Sequence, residues 1–136
     1  MNLELNYNIR PLAHQSVKLT KTGHTYTPKN VKKYKAEIVK QTKLQLPKTF
    51  KIIESEIPIF IEELHYIFKY PSNWRKHQKS KFTYRIASPD LLDNINKAFI
   101  DALEGVVFEN DKNICSVRNL KKYYGENYGI KIKLLY

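Results

Sequence analysis

Two amphipathic segments, each with a proline at its second position, interrupt a chain whose other apolar residues follow strand patterns. Residues 27–46 and 88–105 both repeat apolar side chains at helical spacing. The pairs Thr27-Pro28 and Ser88-Pro89 place an N-cap residue before a proline at the first helical position, and Gly105 suits the end of the second helix. The sequence therefore predicts two main helices. Their expected core-facing residues are Val31, Tyr34, Ile38, Val39 and Leu44 in the first, and Leu92, Ile95, Phe99, Ala102, Leu103 and Val106 in the second.

The remaining apolar residues predict β-strands. Residues 2–9 alternate apolar and polar side chains, and residues 57–70 are rich in β-branched and aromatic types. The period of the second run is imperfect, which predicts a bulge near Glu62-Glu63. The order of elements predicts one α+β domain over residues 1–136, with a mixed or antiparallel sheet. Further strands are expected on both sides of a turn at 21–23, and at 82–87, 106–110, 113–125 and 128–136.

The charge of the chain restricts its partners. Its 136 residues carry a formal net charge of +11, which is typical of small domains that bind nucleic acid or another polyanion. Its most apolar window, residues 57–68, falls far short of the roughly 20 residues that a membrane span needs, so no membrane association is expected. One cysteine, Cys115, excludes an internal disulfide and fits a reducing cytoplasm.

The acidic residues are concentrated in one segment. Residues 90–111 hold six of the 13 acids and a single base, Lys97, so this segment carries −5 and the rest of the chain +16. On a helix, Asp90 and Asp93 would share one face, and Lys97 would follow one turn later. Asp111 follows a glycine turn and a short predicted strand, which can return along the helix and bring its carboxylate near the helix start.

Two interpretations of these acids remain open. Oxygen ligands without histidine or cysteine suit Mg²⁺ or Mn²⁺, and such a metal beside a lysine serves phosphodiester hydrolysis. Alternatively, Asp90 and Asp93 could simply favour a helix N-terminus through its dipole, with Lys97 and Asp101 on a solvated face.

The segment "PDLLDNINKAFIDALEGVVFENDKNI" resembles the signature of RusA-type endonucleases, the Holliday junction resolvases of bacteria and their prophages. The opening "PLAHQSVKLTKTGHTYTPKNVKKYK" and the later "KKYYG" are similar to that family as well. The resemblance implies a RusA-like fold and a homodimeric, Mg²⁺-dependent enzyme of the bacterial or phage-encoded cytoplasm. Such an enzyme makes paired symmetric nicks in a four-way DNA junction during recombination and repair.

By position, the resemblance implies that Asp93 and Asp111 bind the metal and that Lys97 assists catalysis. The family spaces its first two aspartates as Asp-x-Asp, whereas this chain has Asp90-Leu91-Leu92-Asp93. Either Asp90 supplies the third ligand through a helical turn or bulge, which we favour, or the site lacks one ligand. A second departure is Asn110 before Asp111, where the family often has an acid; Glu109 is a candidate to compensate.

Two basic segments flank the acidic one, and we interpret both as phosphate contacts of the DNA, although a solvated charged surface would have the same composition. Trp74 and Phe82 border the second segment and could either stack on the junction or anchor a loop. His14 and Gln15 lie in the family-like opening and are expected near substrate. The expected DNA-binding residues are therefore His14, Gln15, Lys18, Lys21, Lys29, Lys32, Lys33, Arg75, Lys76, Lys79 and Lys81.

Three functions are consistent with these patterns. The first is the metal-dependent endonuclease. The second is a catalytically inactive RusA-like protein with a DNA-binding or regulatory role. The shifted spacing of Asp90 favours this second function. The third is a basic protein that associates with RNA or the ribosome.

Overall fold

The structure, a computed structural model, describes residues 1–13 and 18–136. For Lys18 it describes the backbone alone. The predicted DNA contacts His14 and Gln15 lie outside the described residues. A mixed five-stranded sheet and two main helices form the α+β fold that the sequence predicted. In the part of the chain that is described, no helix is both long and apolar enough to cross a membrane.

The sheet is built around one central strand. The strands are β1 (Asn2–Tyr7), β2 (Lys18–Leu19), β3 (Thr25–Tyr26), β4 (Ile59–Lys69), β5 (Ile114–Val117), β6 (Leu120–Gly125) and β7 (Gly129–Leu135). Strand β7 pairs antiparallel with both β1 and β4, while β5 and β6 both run parallel to β4 on its other side. Strands β2 and β3 form a separate hairpin.

The long predicted strand around β6 is interrupted because its partner bends. The register of β4 shifts between Ile61 and Glu63, where the sequence predicted a bulge. Opposite this bulge, Asn119 adopts a left-handed backbone conformation with φ of 48°, and its side-chain amide donates to the Glu62 carbonyl oxygen at 3.2 Å. Residues 113–125 therefore form two strands instead of the single predicted one.

Two other predicted strands are wrong. Residues 82–87 make one isolated bridge, between Tyr84 and Tyr123, and residues 106–110 form a turn in which Phe108 bridges Ile53. Neither segment forms a continuous ladder of hydrogen bonds: the apolar residues of 82–87 are largely exposed, whereas Val107 and Phe108 enter the core as single side chains from the turn.

Helix α1 (Lys29–Gln45) and helix α3 (Asn96–Leu103) pack together on one face of the sheet, and α2 (Lys76–Lys79) is a single turn. Helix α1 begins one residue later than predicted, because Pro28 keeps an extended ψ of 144° and occupies the N-cap position itself. Its buried residues include Thr42 but not Leu44, which is 78% exposed.

The core between helices and sheet is mainly aliphatic, with a cluster of aromatic rings around Phe99. The Phe99 ring of α3 meets Tyr7 of β1 edge-to-face at 5.2 Å between ring centroids, and Tyr66 of β4 at 6.1 Å. The Tyr7 hydroxyl hydrogen-bonds the Thr42 hydroxyl at 2.8 Å, and Thr42 donates to the Ile38 carbonyl oxygen. This packing fixes α3, and with it the side chains on its outer face, against the sheet.

Candidate active site

The second main helix starts with a wide turn that the sequence did not predict. The prediction placed the N-cap at Ser88, whereas Asp90 is the N-cap of a π-helical turn over Leu91–Ile95, followed by α3. The Ile95 N–H donates to the Asp90 carbonyl oxygen at 3.1 Å, five residues back. A turn of this width accommodates one extra residue. This is the residue by which Asp90-Leu91-Leu92-Asp93 exceeds an Asp-x-Asp spacing.

Asn96 closes the wide turn. Its side-chain amide donates to the Leu91 carbonyl oxygen at the start of the turn. Its side-chain oxygen Oδ1 is buried and has no hydrogen-bond partner among the described residues, so it remains available to accept a hydrogen bond. The sequence analysis missed Asn96, since no spacing rule distinguishes it from the neighbouring Asn94.

An open pocket of about 320 Å³ lies beside the wide turn, and three aspartates line it. Asp93 comes from the π turn, Asp101 from the outer face of α3, and Asp111 from a 3-10 turn before β5. Lys97 lines the same pocket and forms no ion pair with any residue that the structure describes. The structure therefore places Asp93, Asp111 and Lys97 on the lining of one pocket, and their roles in metal binding and catalysis stay predictions. We call this the acid pocket; its lining is Leu92, Asp93, Asn96, Lys97, Ile100, Asp101 and Asp111.

Asp90 does not line the acid pocket. It lies at the start of the π turn, close enough to Lys122 of β6 for its charge to act on that ammonium group. Burial and the neighbouring Arg85 lower the pKa of Lys122, and Asp90 offsets part of this effect. Across residues 1–13 and 18–136, no three side chains of the Asp, Glu, His or Cys types are grouped so that they could hold one ion.

Two basic side chains hold the backbone that leads into the π turn. The Lys122 ammonium group donates to the carbonyl oxygens of Ala87 at 2.8 Å and Pro89 at 2.7 Å. The Arg85 guanidinium group donates twice to the Ser88 carbonyl oxygen, at 3.0 and 2.8 Å. The two Lys122 bonds thus hold this backbone against β6, and the two Arg85 bonds brace it from within the same loop, so Asp90 follows an anchored segment.

The loop that carries Asp111 is anchored from the opposite side. Asn113, which is buried, donates its side-chain amide to the carbonyl oxygens of Glu54 at 2.7 Å and Ile57 at 3.0 Å. The Glu109 carboxylate accepts from the Ser55 N–H at 2.9 Å and from the Ser55 hydroxyl at 2.7 Å. These two hydrogen bonds, the side-chain one foremost, lower the pKa of Glu109.

Asn110, the second departure from the family signature, has a local role. Its side-chain oxygen accepts from the Lys112 N–H at 3.0 Å and caps the 3-10 turn over Asp111–Asn113. Glu109 lies outside the acid pocket and does not compensate for Asn110 as a pocket carboxylate. Both residues act instead on the shape of the loop that presents Asp111.

Eight of the residues predicted to contact DNA phosphates have side chains that the structure describes. All eight are exposed, and none forms an ion pair with another described residue. Four lie on the β2–β3 hairpin or the first turns of α1, and four lie in or beside α2. Unpaired exposed bases are available for an external polyanion. Trp74, by contrast, packs between Tyr70 and Tyr124 and anchors its loop. The eight residues are Lys21, Lys29, Lys32, Lys33, Arg75, Lys76, Lys79 and Lys81.

The chain was compared with models of protein families. A family model described as endodeoxyribonuclease RusA matches residues 7–135, which is nearly the whole chain. The matched range contains the acid pocket, the π turn and both basic segments. No curated protein matches the chain closely enough to count as a relative.

Proposed function

This chain belongs to the RusA endodeoxyribonuclease family, and on that premise we propose that it is a divalent-metal-dependent endonuclease that resolves four-way DNA junctions by paired nicks. The acid pocket is the observation that carries the proposal. It gathers Asp93, Asp111 and Lys97 in one cleft of a protein with a net charge of +11.

The donor set of the acid pocket suits Mg²⁺ or Mn²⁺. Its lining offers carboxylate and amide oxygens and contains no histidine or cysteine. Mg²⁺ is commonly bound through one or two carboxylates together with waters and substrate phosphates, so Asp93 and Asp111 would suffice as protein ligands. A cation held there would offset the charge of the scissile phosphate and make a coordinated water more acidic.

The other pocket residues have separate roles in this proposal. Lys97 would stabilise the negative charge that develops on the phosphate or on the leaving oxygen. Asn96 would accept a hydrogen bond from a water in the pocket through its unpartnered Oδ1, and so hold that water in place. Asp101 shares the rim with Asp93 and interacts with Lys35 of α1 at 4.0 Å.

Asp90 remains a proposed third ligand. Lys122 and Arg85 fix the three residues before it, so its carboxylate would have to reach the pocket from an anchored segment. Asp101 is the alternative third carboxylate. Parallel cleavage assays of Asp90→Asn and Asp101→Asn decide between them. The substitution that removes the true ligand should lower the cleavage rate as much as Asp93→Asn does.

The primary experiment measures cleavage of a labelled four-way junction with Mg²⁺ and with Mn²⁺. Asp93→Asn and Asp111→Asn should each lower the rate at least about 100-fold while junction binding persists, because the lost groups hold the cation. In the absence of metal these variants should bind DNA more tightly, since a carboxylate that repels phosphate has been removed. Glu104→Gln, an exposed acid at the end of α3 outside the pocket, is the matched control and should cleave normally.

A second candidate function is a catalytically inactive RusA-like protein that binds DNA. The placement of Asp90 outside the acid pocket favours it, as does the finding that no three carboxylates of the described residues are grouped closely enough to hold one ion. Junction binding without cleavage in either metal would identify this function and refute the endonuclease.

Paired nicks require two active sites, and we propose a two-fold symmetric homodimer for this purpose. Light scattering of the protein alone and with a junction tests it, and a strictly monomeric complex would exclude symmetric cleavage by one assembly.

The proposed DNA contacts predict a change in salt dependence. Each lost phosphate contact should reduce, by about 0.9, the magnitude of the slope in a plot of the logarithm of the DNA-binding constant against the logarithm of the salt concentration. Combined alanine substitutions at Lys29, Lys32 and Lys33 should therefore reduce it by about 3. Lys48→Ala, in the loop after α1, is the control and should leave it unchanged.

A further inference from the structure

A row of aromatic side chains lies on the face of the sheet opposite the two main helices. Side chains alternate between the faces of β4, so Tyr66 and Phe68 point to the helices while His65 points away. The ring of Tyr123 in β6 meets His65 at 5.5 Å and Phe82 at 5.0 Å, and Phe82 meets Tyr84 at 4.8 Å. We call these four residues, His65, Tyr123, Phe82 and Tyr84, the aromatic row.

The outer end of the aromatic row is exposed but held in place. Phe82 is 62% exposed and Tyr84 is 56% exposed. Their backbone is attached to β6, because the Tyr124 N–H donates to the Thr83 carbonyl oxygen at 3.1 Å and the Arg85 N–H to that of Lys122 at 3.0 Å. The Arg85 guanidinium group also stacks on the Phe68 ring at 4.2 Å on the other face. The two rings are thus presented to solvent from an anchored segment.

Basic residues surround the aromatic row. Burial of the His65 ring lowers its pKa; the Glu63 carboxylate opposes this shift, while Lys121 and Lys131 add to it. These two lysines therefore lie close to one end of the row, and the exposed Lys81 precedes Phe82 at the other. None of the three lysines forms an ion pair with a residue that the structure describes. Three lysines against one carboxylate favour a polyanionic partner.

We propose that the aromatic row is a stacking platform for unpaired bases of a DNA strand, whose phosphates contact Lys81, Lys121 and Lys131. Rings that offer a π-face amid positive charge bind single-stranded nucleic acid with little sequence preference. The proposal rests on the proposed function only in that branched DNA would supply the unpaired bases.

The platform and the acid pocket share a structural support. Lys122, next to Tyr123 in β6, holds the carbonyl oxygens of Ala87 and Pro89, and this segment connects Tyr84 to the π turn that carries Asp93. A base bound on the row would therefore be positioned by the same strand that positions the metal-binding segment. In this arrangement the platform selects DNA that carries unpaired bases near the cleavage site.

The test uses DNA with 2-aminopurine in an unpaired tract, and the full chain carrying Asp93→Asn so that no cleavage intervenes. Stacking on the platform quenches 2-aminopurine fluorescence. The double variant Phe82→Ala/Tyr84→Ala should abolish the quenching and weaken single-strand binding by about fivefold to 150-fold per base that it no longer stacks. Tyr84→Phe should retain both, and Leu44→Ala, an exposed apolar residue of α1, is the control for loss of surface area.

Two results would overturn the platform. One is unchanged quenching and affinity in the double variant. The other is a double variant that binds single strands normally but changes from dimer to monomer in light scattering, which would assign the row to contacts with a second copy. Neither result bears on cleavage, because fully paired junctions with an intact Asp93 report on the acid pocket separately.

Discussion

Replacement of Asn113 tests the anchor of the Asp111 loop. Asn113 is 5% exposed, and its amide makes two hydrogen bonds, to the carbonyl oxygens of Glu54 and Ile57. A neutral hydrogen bond contributes about 0.5–1.5 kcal/mol net, so Asn113→Ala should lower the free energy of unfolding by about 1–3 kcal/mol. Asp111 shares a 3-10 turn with this residue, so junction cleavage at saturating metal should decrease as well.

Asn113→Asp sharpens the test. A carboxylate at this position would face the same two carbonyl oxygens without a proton to donate, so this variant should be less stable than Asn113→Ala at pH 7. Acidification toward pH 4 should narrow the gap, because the protonated carboxyl regains one donor. Urea unfolding at both pH values provides the measurement. Stability of Asn113→Ala within about 0.5 kcal/mol of the parent chain, the range of ordinary surface substitutions, would refute this account of the loop.

Three further predictions concern the core and the second helix. Phe99→Ala removes the ring that contacts Tyr7 and should cost about 3–5 kcal/mol in urea unfolding, whereas an unchanged midpoint would contradict the packing described. Burial raises the pKa of Tyr7 to about 12, and the hydrogen bond between Tyr7 and Thr42 partly opposes this shift. The contribution of Tyr7 to the free energy of unfolding should thus be complete below pH 10 and decline between pH 10 and 12. Tyr7→Phe should make the free energy of unfolding depend less on pH in this range. Gly105 has φ of 82°, so Gly105→Ala should cost about 1 kcal/mol, and a gain in stability would show that the turn relaxes.

Regular patterns made most of the fold predictable. The alternation in β1 and β7 identified both strands, and the irregular period near Glu62-Glu63 identified the bulge in β4. The strand predicted at 113–125 was divided because Asn119 pairs with that bulge, a tertiary effect that no local pattern contains. Leu92, predicted to face the core, is 86% exposed because the π turn alters the phase of the helix start.

The part of the candidate site that could be predicted is the part in which the spacing of residues along the chain determines their positions. The glycine turn after the second helix does reverse the chain, through a turn and not the predicted strand, and Asp111 lines the same pocket as Asp93 and Lys97. The residues that fix the site in place were not predictable, because Lys122 and Asn113 act through hydrogen bonds to backbone carbonyl groups far away in sequence. Such contacts follow from the fold and carry no signature of their own.

The π turn gives the chain tolerance to a change in length. An additional residue within an α-helix rotates everything after it by about 100°, which would carry Phe99 and Leu103 out of the core and Asp101 into it. Here the added rotation is absorbed within Leu91–Ile95, so α3 keeps its buried face. A chain shortened by Leu92 should therefore fold with an ordinary first turn, and would offer a direct way to shift Asp90 relative to Asp93 without disturbing the rest of the helix.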